Sequence, residues 1–204
     1  MKMQWETTGE GATLVLAPGG LTGWLSWIPH VERLSATRKV VRVQLLSVQL
    51  GLEGQPLPPG YSPKTESTAL ANTLESLGLA PPVDFAGWSY GAEITLDFAL
   101  DNPGRVRTLT IIEPPAYWVL PSLDPEAKRA LDEVQRLSRN DVTEDHLDAF
   151  LQRTVLVPPG RNPRDLPHLP LWVRHASRCE RTPPSLSTKG TVGVCPRSRP
   201  RPCW

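Results

Sequence analysis

The stretch VDFAGWSYGAE, residues 83–93, constrains this chain more than any other part of it. An apolar run leads into Gly87-Trp88-Ser89-Tyr90-Gly91, and a mostly apolar segment follows as far as Leu100. Glycines two places on either side of a serine suit a strand that turns sharply into a helix, because the two backbones approach closely there. Such a turn lifts the serine hydroxyl above the sheet edge. It also sets the N–H groups and the positive dipole end of a helix beside that hydroxyl. A Gly-Ser turn without chemistry would show the same five residues, but the strand before and the helix after favour the elbow.

The neighbouring sequence repeats this alternation. Residues 12–17, ATLVLA, closed by Pro18-Gly19-Gly20, read as a buried strand ending in a tight loop. Trp24, Trp27, Ile28, Val31 and Leu34 fall at helical steps, with the helix starting properly near Pro29. Lys39 to Leu46 reads as the next strand, 51–64 as a Gly/Pro-rich loop, and Thr65 to Leu77 as a helix. That helix turns Leu70, Leu74 and Leu77 inward and stops at Gly78. Val83 to Trp88 is a third strand, Tyr90 to Leu100 a helix covered on two sides, and Arg107 to Ile112 a fourth strand. Strands alternating with helices predict an α/β fold, a mostly parallel sheet flanked by helices with right-handed crossovers.

The rhythm then changes. Asp124-Pro125 caps a helix with Ala127, Ala130, Leu131, Val134 and Leu137 on one face, and Thr143 opens another bearing Leu147, Phe150 and Leu151. Two helices with no strand between them predict a helical cap insertion. The expected organisation is a core over 1–118, the insertion and a Pro-rich loop over 119–170, and a disordered tail over 171–204.

Charge sharpens that last boundary. The whole chain carries +1, which argues against nucleic acid or an anionic membrane as a partner. Residues 177–204 carry +5, leaving −4 on the rest, and they hold all three cysteines and five prolines. So few apolar residues cannot offset the entropy of ordering the segment. Cys179, Cys195 and Cys203 have no histidine near them, so neither a metal site nor a disulfide set is expected. The first residues lack an apolar leader and no window reaches the roughly 18 apolar residues of a membrane span, so a cytoplasmic protein is expected.

From about residue 12 to 118 the chain resembles the α/β-hydrolase fold of the esterase, lipase and peroxidase-like group. The matching pieces are LVLAPGG, VVRVQLL, ALANTLESLGL, VDFAGWSYGA and PGRVRTLTIIEPP. The resemblance implies a serine hydrolase in which Ser89 is the nucleophile and the Tyr90 N–H is one oxyanion-hole donor. The second donor would be Gly20 or Leu21, with Pro18-Gly19 standing where the group usually has His-Gly. Serine rather than aspartate points to acyl transfer on esters, thioesters or lactones, or to peracid formation, and away from epoxide and haloalkane chemistry. The implied partner is a small acyl substrate, with no cofactor and no metal. Trp24, Trp27, Trp88 and Tyr90 would line an acyl pocket, although Trp24 and Trp27 read equally well as core.

The same resemblance implies an acid and then a histidine further along the chain. Two more strands with their helices would take about 60–80 residues. After His175 only 29 residues remain, with no histidine and no strand-like run. His146 reads as a surface residue, His168 and His175 come too early in the order, and His30 lies in the first helix. Glu113, directly after the strand RTLTII, is either the triad acid or a residue supporting the strand end. The abrupt change near LPLWVRHASRCERT is what an out-of-frame reading of a GC-rich coding sequence yields. The expectation is a hydrolase lineage truncated or frame-altered at its C-terminus, with weak or no reactivity. The alternative is a catalytically incomplete fragment or pseudoenzyme.

Overall fold

The computed structural model describes residues 1–20 and 23–115, together with 125, 126, 128, 129, 157 and 160–162. Two compact units are distinguished, Met1–Gln49 with Pro58–Ala116, and Leu50–Leu57 with Tyr117–Trp204. The first unit contains a five-stranded sheet in the order β1-β3-β2-β4-β5. Its strands are β1 (Trp5–Thr8), β2 (Ala12–Ala17), β3 (Arg38–Val43), β4 (Val83–Trp88) and β5 (Val106–Ile112). Strands β3, β2, β4 and β5 run parallel, and β1 pairs antiparallel on β3. The mostly parallel sheet with helices is the α/β architecture expected from the alternation.

A parallel sheet covered on both faces needs strands that are apolar along their length. Val15, Leu16, Val40, Val41 and Phe85 meet that need and are almost fully buried. Helix α3 (Pro63–Ser76) turns Ala69, Leu70 and Leu74 inward, and α4 (Tyr90–Asp101) turns Ile94 and Phe98 inward. The Phe85 and Phe98 rings stand 5.2 Å apart, joining β4 to the helix that follows it. Strand β5 is half-buried or exposed throughout, and among the described residues it pairs only with β4. No helix among the described residues is long and apolar enough to cross a membrane.

One buried acid ties three strands together. Asp84 on β4 accepts a forked pair of bonds from Arg107 (2.8 and 2.6 Å), one from Thr108 (2.7 Å) and one from Arg38 (2.5 Å). Arg38 belongs to β3, and Arg107 and Thr108 to β5, so the carboxylate clips the sheet across its width.

Three local readings are corrected. The strand expected over 39–46 ends at Val43, and a helix, α2 (Leu46–Leu52), begins within it and runs into the loop expected over 51–64. A short apolar run does not distinguish strand from helix by period alone, and the deciding partner is distant. The Glu66 carboxylate of α3 accepts the N–H groups of Leu46 and Ser47 that open α2. Ile28, one of the residues at the helical steps of the first expected helix, is 53% exposed. A 3₁₀ turn over Gly23–Trp27 precedes α1 (Ile28–Ser35), and its three-residue period carries Trp27 inward and leaves Ile28 off the stripe. β1 has no counterpart in the sequence reading, being four exposed residues that only the pairing with β3 makes a strand. Residues 125, 126, 128 and 129 are helical. The remainder of the expected cap insertion and the expected tail lie outside the described residues.

Candidate active site

Ser89 stands between the last residue of β4 and the first of α4, with φ 51° and ψ −122°. That backbone is rare for a residue with a side chain and costs on the order of 1–3 kcal/mol. Local bonds hold it there. The Ser89 N–H donates to the Ile112 carbonyl at the end of β5 (2.8 Å), and the Ser89 carbonyl accepts from the N–H groups of Ala92 (2.9 Å) and Glu93 (3.3 Å).

The two glycines of the motif have separate steric reasons. A Cβ at Gly87 would lie 2.4 Å from Thr95 Oγ1 and 2.5 Å from the Gly91 carbonyl oxygen. A Cβ at Gly91 would lie 2.4 and 2.5 Å from the carbonyl oxygens of Pro18 and Ala17. The first glycine lets α4 pack on its own strand, and the second lets α4 start against the end of β2.

The loop after β2 therefore meets the serine. A Cβ built on Gly19 would sit 3.5 Å from the Ser89 Cβ and 3.1 Å from the Trp88 ring, and one on Gly20 would sit 3.6 Å from the Tyr90 Cβ. Gln44, 2% exposed at the end of β3, steadies this loop from behind: its Oε1 accepts the Trp24 N–H at 3.1 Å. Gly23 (φ 56°) has no room for a side chain because the Gln44 amide fills the space, and its N–H closes onto the Gly19 carbonyl (3.1 Å). Tyr90 opens α4, where the first N–H groups have no acceptor within the helix. Ser89, the Tyr90 backbone and the Gly19–Gly20 turn are thus brought together. Leu21 lies outside the described residues.

The other expected residues are more scattered. Trp88 is half-buried and packs on the cluster of Leu14, Leu16, Trp27 and Val40, and Trp24 is half-buried in the 3₁₀ turn. Glu113 is exposed, with φ 47°, directly after the strand end that receives the Ser89 N–H. His30 is exposed on α1, its ring edge-on to Trp27 at 5.9 Å. His146, His168 and His175 lie outside the described residues.

Three neighbours of the turn were not singled out in the sequence: Gln44, Tyr61 and Glu66. Glu66 is fully buried and accepts from Leu46 N–H (2.8 Å), Ser47 N–H (2.9 Å) and the Tyr61 hydroxyl. The Tyr61 and Tyr90 hydroxyl oxygens are 3.4 Å apart. Burial pushes the Glu66 carboxyl up while these donors pull it down, and burial raises both tyrosines. The signal for Glu66 was present: Glu66, Leu70, Thr73 and Leu74 follow helical spacing, which places a charge on the inward face of α3. One turn into α4, burial and the nearby Asp97 carboxylate push Glu93 up to about 7.

The sequence profile of the alpha/beta hydrolase family matches residues 14–204. The chain is 33% identical over 107 residues to a 2-hydroxy-6-oxo-2,4-heptadienoate hydrolase of Pseudomonas putida, covering 51% of this chain and 38% of that protein. It is 30% identical over 149 residues to a pimeloyl-[acyl-carrier protein] methyl ester esterase of Proteus mirabilis, covering 68% of this chain and 51% of the other. The chain thus spans about half or less of these relatives' lengths. A probable hydrolytic enzyme of Pseudomonas aeruginosa shares the fold, with a TM-score of 0.61 at 20% identity over 85% of this chain and 54% of the other. A parallel sheet, a strained serine between its strand and its helix, and a family match reaching across nearly the whole length agree: the chain belongs to the alpha/beta hydrolase family.

Proposed function

We propose that this chain is built for acyl transfer from an ester-like small molecule, with Ser89 as nucleophile and the N–H groups of Tyr90 and of Gly20 or Leu21 as oxyanion donors. The observation that carries the reading is the Ser89 backbone at φ 51°, with its Cβ turned toward the Gly19–Gly20 turn. A hydroxyl so placed, beside a helix N-terminus and a second backbone loop, suits attack on a carbonyl whose oxygen those N–H groups then stabilise. Similarity to a methyl ester esterase is consistent with an ester substrate. Trp24 and Trp88 would bound the acyl group, and Glu113 would be the acid if a histidine lies between it and Ser89.

A second reading is the same strained turn without its base, a catalytically incomplete hydrolase. It is favoured by His30, the one histidine among the described residues, being exposed on α1. Turnover of short-chain p-nitrophenyl esters by this chain and by Ser89→Ala tests both. The expected result is slow release with an initial burst, absent from Ser89→Ala. No burst and no turnover above background selects the second reading, and equal rates above background from both proteins overturn the role of Ser89.

A further inference from the structure

Glu66 has no exposed surface and no part in the acyl step proposed above. Its two backbone donors and the Tyr61 hydroxyl satisfy the carboxylate. The single proton of Tyr61 is thereby committed to Glu66, so in the Tyr61–Tyr90 pair Tyr90 is the donor and Tyr61 the acceptor. The chain has one direction: Tyr90 to Tyr61 to Glu66. At 3.4 Å its outer bond is long, and the charge-assisted inner bond is the stronger one. The root of the same Tyr90 side chain lies against Gly20, where a built Cβ would be 3.6 Å from both Cβ and Cδ1 of Tyr90. The ring is held at its tip by Tyr61 and at its base by the loop that faces Ser89.

Burying a carboxylate is costly, and one used only to cap α2 would not require a tyrosine reaching toward the nucleophile turn. We propose that Glu66 is a positioning residue for that turn. Through Tyr61 it fixes the Tyr90 ring, and with it the Tyr90 N–H and the Gly19–Gly20 turn packed upon it. The proposal rests on the acyl-transfer reading of Ser89.

Tyr61→Phe and Tyr90→Phe each remove one hydroxyl and leave Glu66 its two backbone donors, whereas Glu66→Gln keeps one accepting oxygen and turns an NH2 group toward the other donor. Three readouts are needed: the rate of fluorophosphonate capture, amide hydrogen exchange over residues 88–93 against β2 and β3, and the melting midpoint. Each Phe variant should capture the probe about 3–10-fold more slowly and exchange faster over 88–93, with strand exchange unchanged and melting within a few degrees of wild type. The double variant should be no worse than either single one, because both break the same chain. Unchanged capture and exchange in Tyr61→Phe would overturn the proposal, as would a rise in exchange spread evenly over the sheet. Should wild type capture no probe, the acyl reading fails, and exchange over 88–93 alone decides the role of Glu66. Should Glu66→Gln not fold, the two Phe variants decide it.

Discussion

A serine does not adopt φ 51° unless its surroundings give it no easier backbone, and here those surroundings are two glycines and the carbonyls they admit. Gly91 gives a test whose sign is informative. Gly→Ala inside a helix ordinarily stabilises by about 1 kcal/mol. At this position the new methyl would meet the Pro18 and Ala17 carbonyl oxygens, which are backbone and cannot swing aside. Gly91→Ala should therefore destabilise by about 2–3 kcal/mol in urea titration, and a stabilised variant would show that β2 does not press on α4. Glu93, pushed up to about 7, gives a second test. Its folded value lies above the ordinary 4.5, so its contribution is complete below that pH and is lost as pH rises through about 7. Glu93→Gln should gain on wild type near pH 8 by on the order of 1 kcal/mol, discounted for partial exposure, and match it near pH 4. Equal stabilities at both pH values would contradict the shift.

Between elements, Asp84 matters most, because it joins β3, β4 and β5 through a single side chain. The forked bond from Arg107 is the largest cause holding its carboxyl well below the usual range, and Thr108 and Arg38 add to it against the cost of burial. With a depressed folded value, its stabilisation is present above the ordinary 3.8 and is lost as pH falls from there. Asp84→Asn should cost about 1–3 kcal/mol at neutral pH, and the deficit should shrink on acidification. Denaturation curves with a pH-independent gap would show the carboxylate is not what binds the strands. Elements whose period is local were legible in the sequence: β2, β4, β5, α3 and α4 each carry their own pattern and their own stop. β1 and α2 do not. One is made a strand by pairing with β3, and the other a helix by two bonds to Glu66, and both causes lie far away in sequence.

For the molecule as a whole, the mostly parallel sheet and the serine's position follow from alternation and one pentapeptide, since each glycine there answers a close contact, whereas the order of the strands does not. The support behind the turn was less legible. Gln44 follows directly after β3 and Tyr61 sits in a Pro/Gly-rich loop, so neither has a periodic neighbour to mark it, and they meet the turn only in three dimensions. Glu66 was marked by its place on an apolar helix face, although its partners were not. Family membership is shown along the chain, whereas the reaction rests on whether Ser89 accepts an acyl or phosphonyl group. Mass mapping after exposure to a fluorophosphonate reads this most directly. One adduct on the peptide containing Ser89, forming slowly and absent from Ser89→Ala, is the predicted result; an adduct on any other residue, or one that persists in Ser89→Ala, would contradict it.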